Sequence, residues 1–530
     1  MERRFLFAGL VLGFFLALLH PTGTVLALTE KLSLVELTQQ SDSIVFGRVV
    51  GQTSRWNNDK TTIVTEVSIS LEGTLKGQAP ARFVLEVPGG VVEDLALSVS
   101  DTPVFVPNES IVLFLQDEDF PGFRTVGWHQ GKCTVHAGLV LCDGEPPLRL
   151  EAFMYRVRGL LGDSGPLPSD LAALIADSQP PPTDLPVWMR PVDAIPRAPV
   201  ITSIVPGVGP AHMDKLRSSG SGCAADSTRI TISGSGFGAT QDSSYVRFRR
   251  VGSTYQRACV ESWGSTQIIA RVPGGVSSGS VVVFVGGVSS NSVQFTVTYS
   301  YGGGKWMAGT FAEPMPEQYF VNPNTADVAG TDELLAFQAA VSTWNTCGAR
   351  FQFRYSGASE KTDRKYDGEN SVVWVSRNTG SIATTYIWWL TSDAHKIIEF
   401  DIVFNDYSYT WGTSGSAGVM DVQNIAIHEL GHTLALDDLY GSADSEKTMY
   451  GYSTQGETKK RSLDGNDVAG IYFVYPPPPS PTPTRTSTRT ATVTLTPTVT
   501  RTPTVTRTPT ITNTPVARIW LPVILRNHWP

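Results

Sequence analysis

Short apolar runs bounded by glycine, proline and other turn residues dominate the first 300 residues of the chain. Runs of this kind are typical of β-strands. Four of them lie at Ser43–Val50, Ile63–Ile69, Phe83–Val87 and Ile111–Leu115. They predict an N-terminal all-β domain over residues 28–160, which we expect to form a small barrel, closed or partly open.

Short strands and turns continue to alternate over residues 199–298. The segment opens with Pro199–Pro206 and goes on through Ile230–Ile232 and Gln267–Ala270. In this order the strands resemble the IPT/TIG family, and the resemblance implies an immunoglobulin-like β-sandwich. The glycines between positions 234 and 238 are interpreted as turn residues, because no long helix follows them as in a nucleotide-binding loop.

The apolar spacing becomes helical at three places. Residues 161–176 have a helical pattern and lead into a Pro-rich stretch, so residues 161–198 are predicted to be a helix and an extended linker. Glu333–Trp344 carries apolar residues at helical spacing. A third helix is predicted after Asp421, a suitable N-cap. Its apolar stripe consists of Val422, Ile425, Ala426, Leu430 and Leu434.

The third predicted helix carries the sequence His428-Glu429-Leu430-Gly431-His432. Residues four apart share one helix face, so both imidazoles can point at a single ion. Zinc suits two neutral imidazoles and keeps an open position when the protein supplies three ligands. Glu429 would lie beside that position and take a proton from zinc-bound water, whose pKa the ion lowers to about 7.

A third ligand is expected from the residues that follow this helix. Asp438 is placed where it can close the site once the chain turns, and the adjacent Asp437 is the alternative. The sequence Thr448-Met449-Tyr450-Gly451 follows at short range. Together these features resemble the matrixin-like metzincin metallopeptidases, whose pattern is H-E-x-x-H-x-x-G-x-x-H/D followed by a methionine-containing turn.

The resemblance covers residues 300–476 and implies an α+β catalytic domain that hydrolyses peptide bonds in proteins. It implies that Glu399–Asn405 is the edge strand along which a substrate lies. The implied zinc ligands are His428, His432 and Asp438, the implied general base is Glu429, and the implied methionine of the turn is Met449.

Several positions depart from the family pattern. Ala435 stands where glycine is usual, and alanine should resist the left-handed backbone expected there by roughly 1 kcal/mol. Gly451 occupies the position of a tyrosine ligand found in some metzincins, so Tyr452 is expected to pack or to bind substrate. The carboxylate of Asp438 should make the bound water somewhat less acidic than a third imidazole would.

Further metal sites are judged from the remaining ligand types. His395 is the only other histidine in residues 300–476, so a second, histidine-rich zinc site is not expected. One interpretation of Asp393, Asp401 and Asp406 is that they bind a structural calcium ion, and the alternative is that they are solvated surface acids.

Composition and targeting signals place the chain outside the cytoplasm. The net charge of −8 over 530 residues gives no basic footprint for nucleic acid. Residues 1–27, with an early arginine pair and an apolar run, resemble a secretory signal peptide. No other segment is long and apolar enough to span a bilayer, so the mature chain is expected to be secreted, extracellular or attached to a cell surface.

The five cysteines suit an exported chain. Cys133 and Cys142 are close enough to close a hairpin, and Cys223 and Cys259 could close a second loop. Cys347 is left over as a free thiol, because its neighbours do not match the inhibitory motif of matrixin propeptides. His129 and His136, which flank Cys133, are interpreted as ordinary β-surface residues.

The end of the chain has no capacity for a packed core. Residues 477–515 are rich in proline and threonine and are predicted to be disordered. Residues 516–530 form a short apolar segment, interpreted either as an attachment or sorting signal for the cell envelope or as a terminal strand that docks on another surface.

The sequence therefore predicts a multidomain, exported zinc metalloendopeptidase acting on protein or peptide substrates. Two alternatives are a non-catalytic adhesion protein with a relic protease fold and a carbohydrate-binding protein. The second alternative would use the aromatic residues Trp374, Trp388 and Trp389, which are otherwise expected to pack in the core.

Overall fold

Three folded regions follow one another along the described part of the chain. The computed structural model describes residues 28–29, 31–117, 123–136, 138–143, 145–178, 198–212, 226–250, 255–286, 288–306, 316–377, 380–392 and 396–478. The predicted signal peptide, the Pro-rich linker and the C-terminal segments lie outside these residues. No helix in the described ranges has both the length and the apolarity needed to cross a bilayer.

The N-terminal region is a large antiparallel sheet with helices on one face. Its elements are α1 (Leu34–Gln40), β1 (Ser43–Trp56), β2 (Ile63–Lys76), β3 (Arg82–Pro88), β4 (Gly90–Val92), β5 (Leu95–Val99), β6 (Ser110–Asp117), β7 (Phe123–Thr125), β8 (Lys132–His136), β9 (Leu139–Leu141), β10 (Leu148–Arg149), α2 (Leu150–Leu160) and α3 (Ser169–Ser178). The strands run in the order β10-β9-β8-β6-β1-β2-β3, and β7 pairs with β6.

This region is rich in β-structure as predicted, but it is not all-β and its described strands do not close a barrel. The end strands β3 and β10 are not paired with each other. Alternation along β1 produces two cores, since Ile44 and Phe46 pack with the helices while Val45 and Val49 pack on the opposite face. The predicted disulfide between Cys133 and Cys142 is confirmed.

The second region is a β-sandwich. It contains β11 (Val200–Val205), β12 (Val208–His212), β13 (Arg229–Ser235), β14 (Tyr245–Arg249), β15 (Tyr255–Arg257), β16 (Cys259–Trp263), β17 (Gln267–Arg271), β18 (Gly279–Val285), β19 (Val288–Ser289) and β20 (Val293–Tyr301). One sheet has the order β11-β13-β17-β16 and the other β12-β20-β18-β14-β15, with β19 on β18. Cys259 is disulfide-bonded, and Cys223, its predicted partner, lies outside the described residues.

The third region is an α+β fold that contains the predicted catalytic helix. Its elements are β21 (Lys305–Trp306), β22 (Glu317–Asn322), α4 (Asp332–Asn345), β23 (Phe353–Ala358), β24 (Ser371–Val375), β25 (Ala383–Leu390), β26 (Lys396–Asn405), β27 (Trp411–Gly412), β28 (Met420–Asp421), α5 (Val422–Thr433) and α6 (Gly465–Val474). The sheet order is β23-β22-β24-β26-β25, and α4 and α5 share its apolar core.

The prediction that Glu399–Asn405 is the edge strand of the sheet is wrong. It forms most of β26, which lies inside the sheet with β24 parallel on one side and β25 antiparallel on the other. Glu399 and Asp401 give this strand a polar pattern, yet both are buried and accept backbone N–H groups from the loop before β24. Within the third region, β25 is the edge strand next to β26, and β23 is the edge strand at the other end of the sheet.

The outer edge of β25 is paired with the N-terminal region. Strand β5 runs antiparallel to β25, with Val99 opposite Tyr386 and Leu95 opposite Leu390, and β4 pairs with β5 beyond it. The two regions therefore share one continuous sheet.

Candidate metal centre

Helix α5 places the two predicted histidine ligands inside the protein. Asp421 caps the helix by accepting the backbone N–H of Asn424 at 2.9 Å, as the sequence predicts. His428 and His432 then fall on one face of the helix, and both are buried.

Three potential ligand atoms lie close together near the C-terminal end of this helix. The Nε2 atoms of His428 and His432 are 3.0 Å apart. Asp438 Oδ1 lies 3.0 Å from His428 Nε2 and 3.4 Å from His432 Nε2. Among the described residues, this is the one group of three histidine, cysteine or carboxylate side chains close enough to share an ion.

The hydrogen bonds of the two rings show that this cluster fits a cation. His428 Nδ1 lies 2.8 Å from the carbonyl oxygen of Thr448, and His432 Nδ1 lies 2.8 Å from that of Leu436. A ring nitrogen donates to a carbonyl, so each Nε2 is left with a lone pair that faces the other. Asp438 Oδ1 is buried beside them and receives no hydrogen bond. Three acceptors held together in this way match the two-imidazole, one-carboxylate donor set that zinc accepts.

Without a bound ion, the three side chains differ in how readily each is protonated. Burial lowers the pKa of His428 to about 4. Burial also opposes protonation of His432, but the neighbouring Asp438 carboxylate outweighs it and raises the pKa to about 10. Burial opposes ionisation of Asp438, yet the two imidazoles hold its pKa well below the usual range.

The turn after α5 orients the two candidate aspartates differently. Ala435 has φ +63, so the left-handed conformation expected from the sequence is present despite the missing glycine. Asp437 then points to the second region, where its carboxylate accepts the Ser300 hydroxyl at 3.1 Å. Asp438 faces the histidines, which supports it as the third ligand.

Met449 lies beneath the helix, buried, where the resemblance predicts the methionine turn. A Cβ added to Gly431 would come within 2.2 Å of Met449 Sδ and 3.2 Å of Trp344 Cζ2. The absent side chain at position 431 therefore lets the helix, the methionine turn and α4 approach one another closely.

Residues 315–476 match the family model for matrixin. Residues 199–299 match the model for the IPT/TIG domain. The two matches support a matrixin-like protease with a TIG domain. No curated protein matches the chain.

Three solved structures that match the chain each cover less than half of it. An auxiliary nutrient binding protein from Bacteroides thetaiotaomicron is 14% identical, with 22% of this chain and 25% of that chain covered and a TM-score of 0.15. A putative phosphatase from the same organism is 17% identical, with 21% of each chain covered and a TM-score of 0.14. A gamma-CGTase from alkalophilic Bacillus clarkii is 15% identical, with 47% of this chain and 26% of that chain covered and a TM-score of 0.14. The chain spans about a quarter of the length of these proteins.

Glu429 lies in the third region, called the matrixin-like region from here on. A residue that sequence reasoning missed donates a hydrogen bond to it. Thr385, on edge strand β25, donates its hydroxyl to Glu429 Oε2 at 2.5 Å. Burial raises the pKa of Glu429 to about 8, and the side chain is 1% exposed. A threonine within a strand carries no sequence signal for this contact.

The N-terminal region adds a second carboxylate beside the matrixin-like site. Tyr440 donates its hydroxyl to Asp101 Oδ1 at 2.5 Å. Burial, together with the charge of Asp438, raises the pKa of Asp101 to about 6. Asp101 follows β5 directly, and sequence reasoning did not select it.

His129 is not the surface residue that the sequence suggested. Its ring is buried, lies 3.1 Å from Asp143 through Nε2 and packs on Tyr440. Burial opposes protonation of His129, but the Asp143 carboxylate raises its pKa. Tyr452 donates its hydroxyl to the same Asp143, so it packs rather than reaching the metal ligands.

A cavity of about 690 Å³ lies between the N-terminal region and the matrixin-like region. The metal-site residues His432 and Asp438 and the edge-strand residue Thr385 line one side of it. Asp101 and His129 line the other side. The site thus opens into a space that the N-terminal region covers.

The described residues do not support the calcium expectation. Asp401 is occupied by the backbone N–H groups of Lys365 and Ser371, and Asp406 accepts the hydroxyl of Thr325. Asp393 and His395 lie outside the described residues.

The aromatic residues behind the carbohydrate-binding alternative are core residues. Trp374, Trp388 and Trp389 are all buried, as expected for packing in the sheet. Cys347 is a free thiol, also as expected.

Proposed function

We propose that this chain is an exported zinc-dependent metalloendopeptidase. The observation that carries the proposal is the convergence of His428, His432 and Asp438 around one point. Glu429 directly follows His428 in the same helix. Two imidazole Nε2 atoms and a buried carboxylate oxygen held this close need a positive charge between them. A proton on His432 supplies it in the ion-free protein, and a divalent cation would supply it when the metal is bound. The match of residues 315–476 to matrixin supports a peptidase rather than a structural zinc site.

Each side chain has a definite part in hydrolysis. His428, His432 and Asp438 would hold zinc, which would supply Lewis acidity toward the scissile carbonyl and the attacking water. Glu429 takes a proton from the attacking water and passes it to the leaving amine. Thr385 orients the carboxylate of Glu429 through its 2.5 Å hydrogen bond. Met449 performs no proton transfer and supports the helix from below.

Strand β25 is the proposed binding surface for the substrate chain. It is an edge strand of the matrixin-like region, and its Thr385 donates a hydrogen bond to Glu429. An extended peptide that adds to this edge gains main-chain hydrogen bonds and lies beside the general base. Protein and peptide segments that can become extended are therefore the substrate class.

The test measures metal content and peptide hydrolysis on the same purified protein. We expect one zinc per chain and cleavage of a quenched fluorescent peptide library, assayed before and after limited proteolysis. Glu429→Gln should keep the zinc and lose at least about 100-fold in rate, as is typical for loss of a general base. Asp437→Asn is the matched control, because its carboxylate faces Ser300 and not the site.

Two results would contradict the proposal. One is a zinc-loaded protein that cleaves no peptide in either form. The other is a Glu429→Gln variant that cleaves as fast as the wild type, since the proton transfer would then not involve this residue.

A further inference from the structure

The surface proposed to bind substrate is already covered by the chain itself. Residues 94–101, termed here the occluding segment, comprise β5 and its two ends. The segment runs antiparallel to β25, from Leu95 opposite Leu390 to Val99 opposite Tyr386, with no irregularity in register.

Hydrogen bonds join the occluding segment to residues 385–391, which include most of β25. At one end the backbone N–H of Thr391 donates to the carbonyl of Asp94 at 2.8 Å. At the other end Ser100 N–H donates to the Thr385 carbonyl at 3.1 Å, and Thr385 N–H donates to Ser100 Oγ at 3.0 Å. Thr385, at this second end, also donates its hydroxyl to the Glu429 carboxylate.

The direction of the segment leads its next residue into the site. Asp101 directly follows Ser100 and is held by the hydroxyl of Tyr440 at 2.5 Å. Asp101 lines the same cavity as the metal-site residues His432 and Asp438. The segment therefore follows the edge strand to the position where a scissile bond would have to lie, and presents a carboxylate there.

The N-terminal region also contacts the matrixin-like region outside the pairing of β5 with β25. The carbonyl of Leu28 accepts the N–H of Ile382, and the N–H of Leu28 donates to the carbonyl of Gly451. Asp143 accepts the hydroxyl of Tyr452, just after the methionine turn. These contacts involve the residue before β25 and two residues that follow the methionine of the turn, so the occluding segment is held as part of a folded domain.

We infer that the N-terminal region is an intramolecular inhibitor of the peptidase, with the occluding segment in the place of a substrate strand. The inference rests on the proposed function. The region blocks main-chain pairing at β25 and covers the cavity beside the metal ligands, so the intact chain is latent. Hydrolysis requires that β5 leave β25.

A single proline tests the strand pairing. Alternation from the Thr391–Asp94 and Ser100–Thr385 bonds places the N–H of Ser98 toward β25. Ser98→Pro removes that bond, and should raise the rate of peptide cleavage by the full zinc-loaded chain at least tenfold over wild type. The matched control is Val84→Pro, on the end strand β3, where the N–H faces away from β2 and the side chain is exposed. It should leave the rate at the wild-type level.

A reversible lock tests the same contact in a chain with intact strands. Leu95 and Leu390 are opposite each other, in a pair that the alternation makes non-hydrogen-bonded and that suits a disulfide. In the double variant Leu95→Cys/Leu390→Cys, the oxidised chain should stay latent after limited proteolysis that activates wild type. Mild reduction should restore activation, with wild type in the same reductant and the single variant Leu95→Cys as controls.

A readout that needs neither zinc nor catalysis is amide hydrogen exchange in the Glu429→Ala background. Residues 385–389 of β25 should be protected in the intact chain and should exchange at least tenfold faster after Ser98→Pro. The internal strand β26 should exchange at the same rate in both.

The outcomes separate the two proposals. If wild type cleaves peptide as fast as Ser98→Pro and Glu429→Gln is inactive, the peptidase stands and the inhibitor is overturned. If exchange at β25 rises in Ser98→Pro but the rate does not, pairing at β25 is structural and the inhibitor is again overturned. If no form cleaves although zinc is bound, the proposed function fails and the inhibitor fails with it.

Discussion

Thr385 and Glu429 are joined by a 2.5 Å hydrogen bond between a strand hydroxyl and a helix carboxylate. The bond joins the edge of the sheet to the proposed general base. It also links two proposed events, because the strand proposed to bind a peptide chain is the strand that orients the carboxylate proposed to act on it.

Replacement of Thr385 by valine should therefore lower the turnover rate without releasing the metal. Loss of one hydrogen bond to a charged group costs about 1.5–3 kcal/mol, which corresponds to roughly 10- to 100-fold in rate. Thr384→Val is the control, because the Thr384 hydroxyl pairs with Ser381 instead. Steady-state kinetics and zinc content check the prediction, and equal rates for the two variants would show that the bond has no catalytic role.

Replacement of Ala435 by glycine should stabilise the protein. Ala435 has φ +63, a conformation that costs an L-residue with a Cβ roughly 1 kcal/mol. We expect a gain of up to about 1 kcal/mol in the free energy of unfolding, measured by denaturant titration. Ala339→Gly, inside α4, should lose a similar amount, since glycine is unfavourable in a helix interior. A loss at both positions would indicate that Ala435 is not strained.

Replacement of Gly431 by alanine should disturb the packing of α5 against Met449 and thereby the metal site. The new Cβ would lie 2.2 Å from Met449 Sδ, so the buried Met449 side chain, the helix or the methionine turn must move. Overpacking of this kind typically costs about 1–3 kcal/mol. Thermal unfolding should show the loss, and zinc affinity should fall with it. Gly465→Ala, where an added Cβ meets open space, should leave zinc affinity unchanged.

Glu399 should make stability depend on pH. Burial raises its pKa from 4.5 to about 7, although the backbone N–H groups of Asp367 and Gly368 favour the ionised form. Between these values the folded state binds more protons than the unfolded state, so the free energy of unfolding falls as pH rises from about 4.5 to about 7. Glu399→Gln should remove a decrease on the order of 1–3 kcal/mol across this range. Denaturant titrations at several pH values measure it, with Glu446→Gln at an exposed carboxylate as the control; an unchanged slope in Glu399→Gln would contradict the assignment.

The local parts of the site were predictable from sequence. The i,i+4 histidine pair, the cap at Asp421 and the left-handed turn at Ala435 each depend on residues close together in the chain. Asp438 could be narrowed only to one of two neighbours, because the choice depends on where Ser300 of the second region lies.

The long-range parts were not predictable. Leu95–Val99 is short and weakly patterned, and nothing in it indicates that it pairs with a strand almost 300 residues later. Glu399 and Asp401 suggested an exposed edge, whereas loop backbone N–H groups allow both to be buried in an internal strand. His129 becomes a buried residue through Asp143 and Tyr440, contacts that depend on the docking of two regions.

Zinc titration by competition with a chelator tests the central claim most directly. The account predicts one tight site in wild type and little change in Asp437→Asn. Asp438→Asn should weaken binding by more than the roughly 10- to 100-fold that loss of an outer-shell partner costs. A wild type that takes up no zinc, or two aspartate variants with the same affinity, would contradict it.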